Sequence, residues 1–156
     1  MFQGCTGITS VDLSSLTTVT GSFGFNYAFK GCTSLTSIDL SSLTTIENSN
    51  TCASMFEGCT SLTSVDLSGL ETINGMYACQ NMFKGCTSLT SLSFPSLTSN
   101  SFGTYTSQFN NLLSGVTGCT VHFPSNLQSV IGSWTSVTAG FGGTNTTVLF
   151  DLPATE

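Results

Sequence analysis

The sequence has very few charged residues and no arginine at all. Only 6% of its 156 residues are charged, and the two basic residues, Lys30 and Lys84, stand against eight carboxylates for a net charge of −6. An average soluble protein has about a quarter charged residues. Binding to nucleic acid or to an anionic membrane surface needs a basic face, so this composition argues against both partners.

Long apolar runs and histidine-containing clusters are also missing. No run reaches the ~18 residues of a transmembrane span, so we predict no membrane insertion. The only histidine is His122, and it suggests no catalytic triad. The cysteines recur 27 residues apart, whereas zinc sites place theirs about two to four apart. We therefore predict no metal, no cofactor and no enzymatic activity.

A seven-residue phrase, GCTSLTS, is repeated at a fixed spacing. It occurs at Gly31–Ser37, Gly58–Ser64 and Gly85–Ser91, each 27 residues after the last, and the variant GCTGITS occupies Gly4–Ser10. A fixed period of this length predicts a solenoid, in which one structural unit stacks on copies of itself. Because Met1 and Phe2 already align inside such a unit and no signal peptide is visible, we expect a fragment of a longer protein.

Aligning the copies places apolar residues in columns that recur in every coil. Four of these columns are Phe2/Phe29/Phe56/Phe83, Ile8/Leu35/Leu62/Leu89, Val11/Ile38/Val65/Leu92 and Leu13/Leu40/Leu67/Phe94. The apolar steps are three residues long except for one step of two, which marks a strand at Ser37–Leu40 and its equivalents. Steps of three suit tight turns or 3₁₀ segments. We predict one strand per coil, stacked about 4.8 Å apart in a curved parallel sheet.

The same alignment sets the predicted limits of the coils in a single domain. They lie near 1–27, 28–54, 55–81, 82–108 and 109–124, followed by a C-terminal cap at 125–156. Phe109 is predicted to restart the repeat, and Thr120–Pro124 and Leu149–Pro153 supply the last two of six strands, near 29 residues apart. Within the cap, Pro124–Gly132 predicts a short helix with Ser125 as N-cap. Ala139–Thr144 is predicted to be a loop.

Two further columns carry structural predictions. Cys5, Cys32, Cys59 and Cys86 align, and we expect buried free thiols that act as small hydrophobic groups. Gly21, Asn48 and Gly75 also align, and these two residue types favour a left-handed turn.

The motif resembles a known family. Met55-Phe56, Cys59, Leu62, Val65 and Leu67 follow a pattern similar to the BspA-like leucine-rich repeats of bacterial surface proteins. The likeness is strong over residues 1–100 and weak over 109–153. It implies a leucine-rich-repeat solenoid, a secreted or cell-surface location, adhesion to other proteins and no catalysis. The period of 27 residues exceeds the usual ~23 of the family, which implies bulkier return segments.

The first candidate surface is an outward column on the predicted concave face. Its members are Asp12, Asp39, Asp66, Ser93, His122 and Asp151. These side chains could bind a cation, a polar ligand or a basic protein partner, with binding that weakens as salt is added. Alternatively each carboxylate is solvated and bonded to flanking Ser and Thr hydroxyls, which is the commoner role of such a run.

The second candidate surface lies on the predicted convex side, in the least repetitive part of each coil. Phe23, Tyr27 and Tyr77 could form an aromatic contact patch, although we expect most aromatics there to fill the core. A rival to protein binding is self-association, because an uncapped first coil offers a free edge to another chain.

Overall fold

The computed structural model describes residues 1–98, 100–102, 107–131 and 141–154. They form a parallel solenoid, which confirms the predicted fold class. The strands are β1 (Thr18–Val19), β2 (Ser37–Asp39), β3 (Thr45–Glu47), β4 (Ser64–Asp66), β5 (Thr72–Asn74), β6 (Ser91–Ser93), β7 (Thr120–Pro124) and β8 (Thr147–Leu152). A 3₁₀ helix (Ser125–Leu127) and helix α1 (Gln128–Ile131) lie between β7 and β8.

The expectation of one sheet with six strands is wrong. The described residues contain eight strands in three sheets, ordered β1-β3-β5, β2-β4 and β6-β7-β8. Each regular coil has a second strand because Val19, Ile46 and Ile73 point inward between outward polar neighbours. In the sequence, the apolar residue before each of them lies three positions earlier, so the two-residue alternation typical of a strand was not apparent. An isolated bridge from Asp12 to Asp39 extends the β2-β4 sheet into the first coil.

The register of the last strand pair also differs from the prediction. Val121 pairs with Val148, and Pro124 pairs with Leu152 after an irregularity in the ladder, so the offset is 27 and then 28 residues. The predicted offset of 29 came from matching the prolines. Packing decides the register instead, because Phe150 turns inward and its ring stacks on Phe123 with centroids 6.0 Å apart.

The return segments are joined by a further ladder of backbone hydrogen bonds. Alternate residues donate to the next coil, as in Phe25 N–H to Thr51 O (2.8 Å), and the residues between them donate three residues back along the chain. Every fourth residue has a left-handed backbone. In the first such segment these are Phe23 (φ 61°), Tyr27 (φ 57°) and Gly31 (φ 75°).

The predicted left-handed column at Gly21, Asn48 and Gly75 is wrong for its two glycines. Only Asn48 has a positive φ, of 72°. Gly75 is required because the site has no room for a side chain: a Cβ at this position would lie 2.2 Å from the backbone oxygen of Asn48. The left-handed glycine column is instead the one that opens the repeated phrase, with Gly31 as an example.

The core is a stack of like side chains through the regular coils. The rings of Phe29, Phe56 and Phe83 are fully buried and nearly parallel, with centroids 5.6 and 5.7 Å apart. Burial of each such side chain contributes roughly 1.5–3 kcal/mol. The backbone N–H of each of these phenylalanines donates to the residue just before the next member of the column. Phe83 N–H donates to Leu112 O (3.0 Å), so Leu113 is the next member. Phe109 packs among other aromatic rings, namely Phe94, Phe102, Phe123 and Phe141.

The predicted helix after β7 is present but shorter and differently begun. Pro124 precedes the 3₁₀ helix and no side chain caps it, so Ser125 is not the N-cap. Gly132 and residues 139–140 of the expected loop lie outside the described residues. Among the helices of the described ranges, none has the length and apolar character needed to cross a membrane.

Candidate functional site

The predicted candidate residues lie on two outward surfaces. The strand face is the outward side of β2, β4, β6, β7 and β8, and it carries the column that was predicted as concave. The turn face is the outward side of the return segments 22–31, 49–58 and 76–85, and it carries the residues that were predicted as convex.

On the strand face, the first three aspartates each close a tight turn. The backbone N–H two residues later donates to Oδ1 of the carboxylate, from Ser14 to Asp12 (3.0 Å), Ser41 to Asp39 (2.9 Å) and Ser68 to Asp66 (2.9 Å). Hydrogen bonding from Ser14 lowers the pKa of Asp12, and hydrogen bonding from Ser41 lowers the pKa of Asp39. The carboxylates therefore have a structural role, although their side chains point to solvent.

The later coils show why the aspartate column changes. Where Ser14, Ser41 and Ser68 stand in the first three coils, the next two have Pro95 and Pro124. Proline has no backbone N–H to donate, so the carboxylate has no turn to close. Ser93 and His122 replace aspartate in two of these coils. In these five coils Asp is followed two residues later by Ser, whereas Ser93 and His122 are followed two residues later by Pro, and this pattern was visible in the sequence.

Asp151 is retained before a proline because it has another partner. His122 Nδ1 lies 2.9 and 3.0 Å from the two carboxylate oxygens of Asp151, so the pair joins β7 to β8. The six predicted residues thus share one face but form two groups. The first is Asp12, Asp39 and Asp66, and the second is Ser93, His122 and Asp151.

The two groups are separated by an interruption of the sheet. No ladder pairing joins β4 to β6 in the part of the chain that the structure describes. Val65 is only partly buried there, whereas Ile38 and Leu92 of the same inward column are 4% and 1% exposed. A groove of about 400 Å³ opens at this point, and we call it the β4–β6 groove. The repeat pattern did not predict this groove, and the change at Ser93 and Pro95 was the signal that could have indicated it.

Side-chain hydrogen bonds join the two coils before and after β4 and β6. The Ser88 hydroxyl donates to Thr60 O (2.7 Å) and the Ser96 hydroxyl donates to Ser68 O (2.5 Å). The coils therefore stay in contact on either side of the strands, and the opening is local.

On the turn face, the expectation that most aromatics fill the core is wrong for two residues. Phe23 is 59% exposed and Tyr27 is 43% exposed, while Tyr77 is half-buried. All three have a positive φ, of 61°, 57° and 59°. The equivalent left-handed positions in neighbouring coils hold small or amide side chains, namely Asn50, Ser54 and Asn81.

Both lysines of the chain lie on the turn face and share one carboxylate. Glu57 is bonded to Lys30 (3.1 Å) and to Lys84 (3.5 Å). Burial opposes ionisation of Glu57, but hydrogen bonds from Ser54 and Lys30 and the charges of both lysines hold its pKa below the ordinary value. Lys30 Nζ also lies 5.0 Å from the ring centroid of Tyr27. The aspartates of the strand face therefore have no lysine partner.

The cysteines are unpaired, and six of the seven are buried as expected. The prediction is wrong for Cys5, which is exposed. In the repeated column each buried thiol donates to a phenylalanine carbonyl of the preceding coil, as in Cys59 Sγ to Phe29 O (3.1 Å). Burial raises the pKa of Cys52 to about 12 and that of Cys59 to about 11. Such thiols pack as neutral groups.

No group of three potential metal ligands comes together within residues 1–98, 100–102, 107–131 and 141–154. The predicted site residues also include no buried acid and base in contact. What the arrangement offers is two outward surfaces, one acidic and one aromatic.

The repeat pattern places the chain in a known family. Residues 1–113 match the family described as BspA type leucine rich repeat region, in six copies, and the chain belongs to this family. Leucine-rich repeats are modules for protein–protein interaction, and this kind of solenoid is typically a non-enzymatic scaffold. Six copies exceed the number of 27-residue coils in that range, so copies and coils do not correspond one to one. No curated protein and no solved structure matches the chain.

Proposed function

We propose that this chain is a non-enzymatic protein-binding module that acts in adhesion at a bacterial cell surface or after secretion, and that its turn face contacts the partner. Membership of the BspA-type family supports the location and the adhesive role. The contact residues proposed are Phe23, Tyr27 and Tyr77. Exposed aromatic side chains contribute large contact areas in protein interfaces.

The observation that carries this proposal is a bulky residue at each of three left-handed positions. A left-handed backbone costs an ordinary residue roughly 1–2 kcal/mol, and asparagine tolerates it better. Neighbouring coils have Asn50 and Asn81 at such positions, so the fold itself does not require an aromatic ring there. Strained residues that the fold does not need are often kept for a functional reason.

The test replaces the three aromatics by the residue that neighbouring coils use. Phe23→Asn, Tyr27→Asn and Tyr77→Asn together should raise the free energy of unfolding by about 1–3 kcal/mol as strain is relieved. Capture of extracellular proteins on the immobilised module should fall at least about tenfold, the loss expected for one interface hot spot. Asp12→Asn, on the strand face and outside the β4–β6 groove, is the matched control and should keep the captured protein. Retention by the aromatic variant, or loss by the control alone, contradicts the proposal.

Self-assembly is the second candidate function, and the first coil favours it. Met1 is 83% exposed and Phe2 is 37% exposed, and further inward residues of this coil are only partly buried. These residues are Ile8, Val11, Leu13 and Leu16. Light scattering over a concentration series should then show growth of the particle mass, and Val11→Lys should abolish it. A constant monomer mass for the unmodified chain rules this function out.

A further inference from the structure

We propose that the β4–β6 groove binds a lysine side chain of a protein partner, with the ammonium between Asp39 and Asp66. This site lies on the strand face, and it does not depend on the turn-face contact proposed above.

The groove has an apolar floor where a regular coil would have none exposed. Val65 belongs to the inward column but is only partly buried, and its neighbours Ile38 and Leu67 line the same groove. Pro95 forms part of the opposite wall. An alkyl chain that covers Val65 removes apolar surface from water, which favours an occupant with a methylene stem.

The walls of the groove offer backbone groups that regular coils use up. Between β2 and β4, Thr63 N–H donates to Thr36 O (2.9 Å) and Leu40 N–H donates to Asp66 O (3.0 Å). The corresponding bonds from Thr90 and Leu67 are not formed between β4 and β6, all of whose residues the structure describes. The main chain of a bound peptide can therefore find donors and acceptors at the rim.

Negative charge lies on only one wall of the β4–β6 groove. Asp39 and Asp66 pair in register on adjacent strands and both line the groove, whereas Ser93 and Pro95 on the other wall carry no charge. Both lysines of the chain are bound to Glu57 on the turn face. A cationic occupant is the one that this wall attracts.

The turn geometry favours an ammonium over a guanidinium. The N–H groups of Ser41 and Ser68 are bonded to Oδ1 of Asp39 and Asp66, so the turns already occupy one oxygen of each carboxylate. Bidentate pairing of arginine uses both oxygens of one carboxylate. A lysine ammonium is compact and has three donors, so it can bond one oxygen from each aspartate.

Methyl NMR of the valine-labelled chain tests this, with Ac-Gly-Lys-Gly-NH₂ as the probe. The Val65 methyl signals, assigned through Val65→Ile, should shift saturably. The peptide with norleucine in place of lysine keeps the stem without the charge and should bind at least tenfold more weakly. Asp39→Asn with Asp66→Asn should weaken binding by the same factor, while the asparagine oxygen still accepts the turn N–H.

Asp12→Asn is the matched control, because Asp12 closes the same turn and carries the same charge but lies outside the groove. It should change the dissociation constant less than twofold. Unmoved Val65 signals, equal weakening by Asp12→Asn, or equal binding of the norleucine peptide each overturns the proposal. Tighter binding of the arginine peptide overturns the choice of lysine. The turn-face variant should leave this titration unchanged, so failure here is separate from failure of the proposed function.

Discussion

The regular coils before β6 and the C-terminal part after it use phenylalanine in two different ways. In the regular coils the rings of Phe29, Phe56 and Phe83 stack with interplanar angles of 9° and 4°. In the C-terminal part, Phe109 meets Phe94 at 49° and Phe102 at 71°. A constant coil length repeats one packing arrangement, while the longer C-terminal coils leave an irregular space that rings fill at mixed angles.

Strand length differs in the opposite way, because the part with less regular ring packing has the longer strands. Strands of the regular coils have at most three residues, and their turns are closed by aspartate side chains. In the C-terminal part β7 has five residues and ends in Pro124, and β8 has six residues and is followed by Pro153. The difference teaches that side-chain repetition and long strand pairing are alternative ways of holding neighbouring coils together.

The largest effect is expected from the ring at the centre of the C-terminal core. Phe123 is fully buried and contacts the rings of Phe94, Phe109, Phe141 and Phe150. Phe123→Ala should lower the free energy of unfolding by about 3–5 kcal/mol in a urea titration. Phe123→Leu is the control and should cost clearly less. A cost below that of Leu62→Ala would show that the irregular core matters less than the regular one.

A somewhat smaller loss is expected in the regular coils. Leu62 is fully buried in a column of like residues, so Leu62→Ala should cost about 2–5 kcal/mol. Thr60→Ala, two residues earlier at an exposed position, should cost less than about 0.5 kcal/mol. Equal urea midpoints for the two variants would reject the assignment of inward columns.

Thiol reactivity compares the two parts without any substitution. Burial raises the pKa of Cys59 and of Cys119 to about 11, against an ordinary value of 9.0. At pH 8 their thiolate fraction is roughly 100-fold lower than that of an ordinary thiol, and it rises about tenfold per pH unit until the pKa is reached. Alkylation followed by mass spectrometry should therefore modify exposed Cys5 first in the native protein. Modification of Cys119 well before Cys59 would mean that the C-terminal part opens more readily.

The smallest effect is expected from making the fourth coil regular. Ser93→Asp with Pro95→Ser gives the fourth coil the carboxylate acceptor and the N–H donor that close the turn at Asp66 in the third coil. The double variant should raise the free energy of unfolding by less than about 1 kcal/mol. If the missing turn causes the β4–β6 groove, amide hydrogen exchange at Leu67 and Thr90 should slow. Unchanged exchange would place the cause in the longer return segment after β6 instead.

The sequence predicted the solenoid, the inward columns and the outward aspartates because these depend on a strict period. It failed where a local contact overrides the period. The offset of β8 is set by Phe150 packing on Phe123, and Gly75 is kept by the close approach of Asn48. Neither contact is visible in spacing alone. Both candidate surfaces were predicted from the alignment. The groove between Asp66 and Ser93 was not, because it results from the absence of strand pairing between β4 and β6, which only the structure reveals.

The backbone bonds between coils give the stack a direction. On the turn face each coil donates to the next, as from Cys52 N–H to Ala78 O (2.9 Å), whereas on the strand face the bonds run both ways, as from Thr63 N–H to Thr36 O (2.9 Å) and from Leu40 N–H to Asp66 O (3.0 Å). In its return segment each coil therefore accepts from the coil before it and donates to the coil after it. Two first coils joined turn face to turn face would set acceptor against acceptor.

The solenoid thus behaves as a polar rod with two unlike ends. A second copy that continues this ladder of hydrogen bonds must present N–H groups to the accepting carbonyl oxygens, which orders the two copies head to tail. Head-to-tail contacts of this kind do not close on themselves unless they form a ring. Assembly through this ladder should therefore make open filaments or rings rather than symmetric pairs.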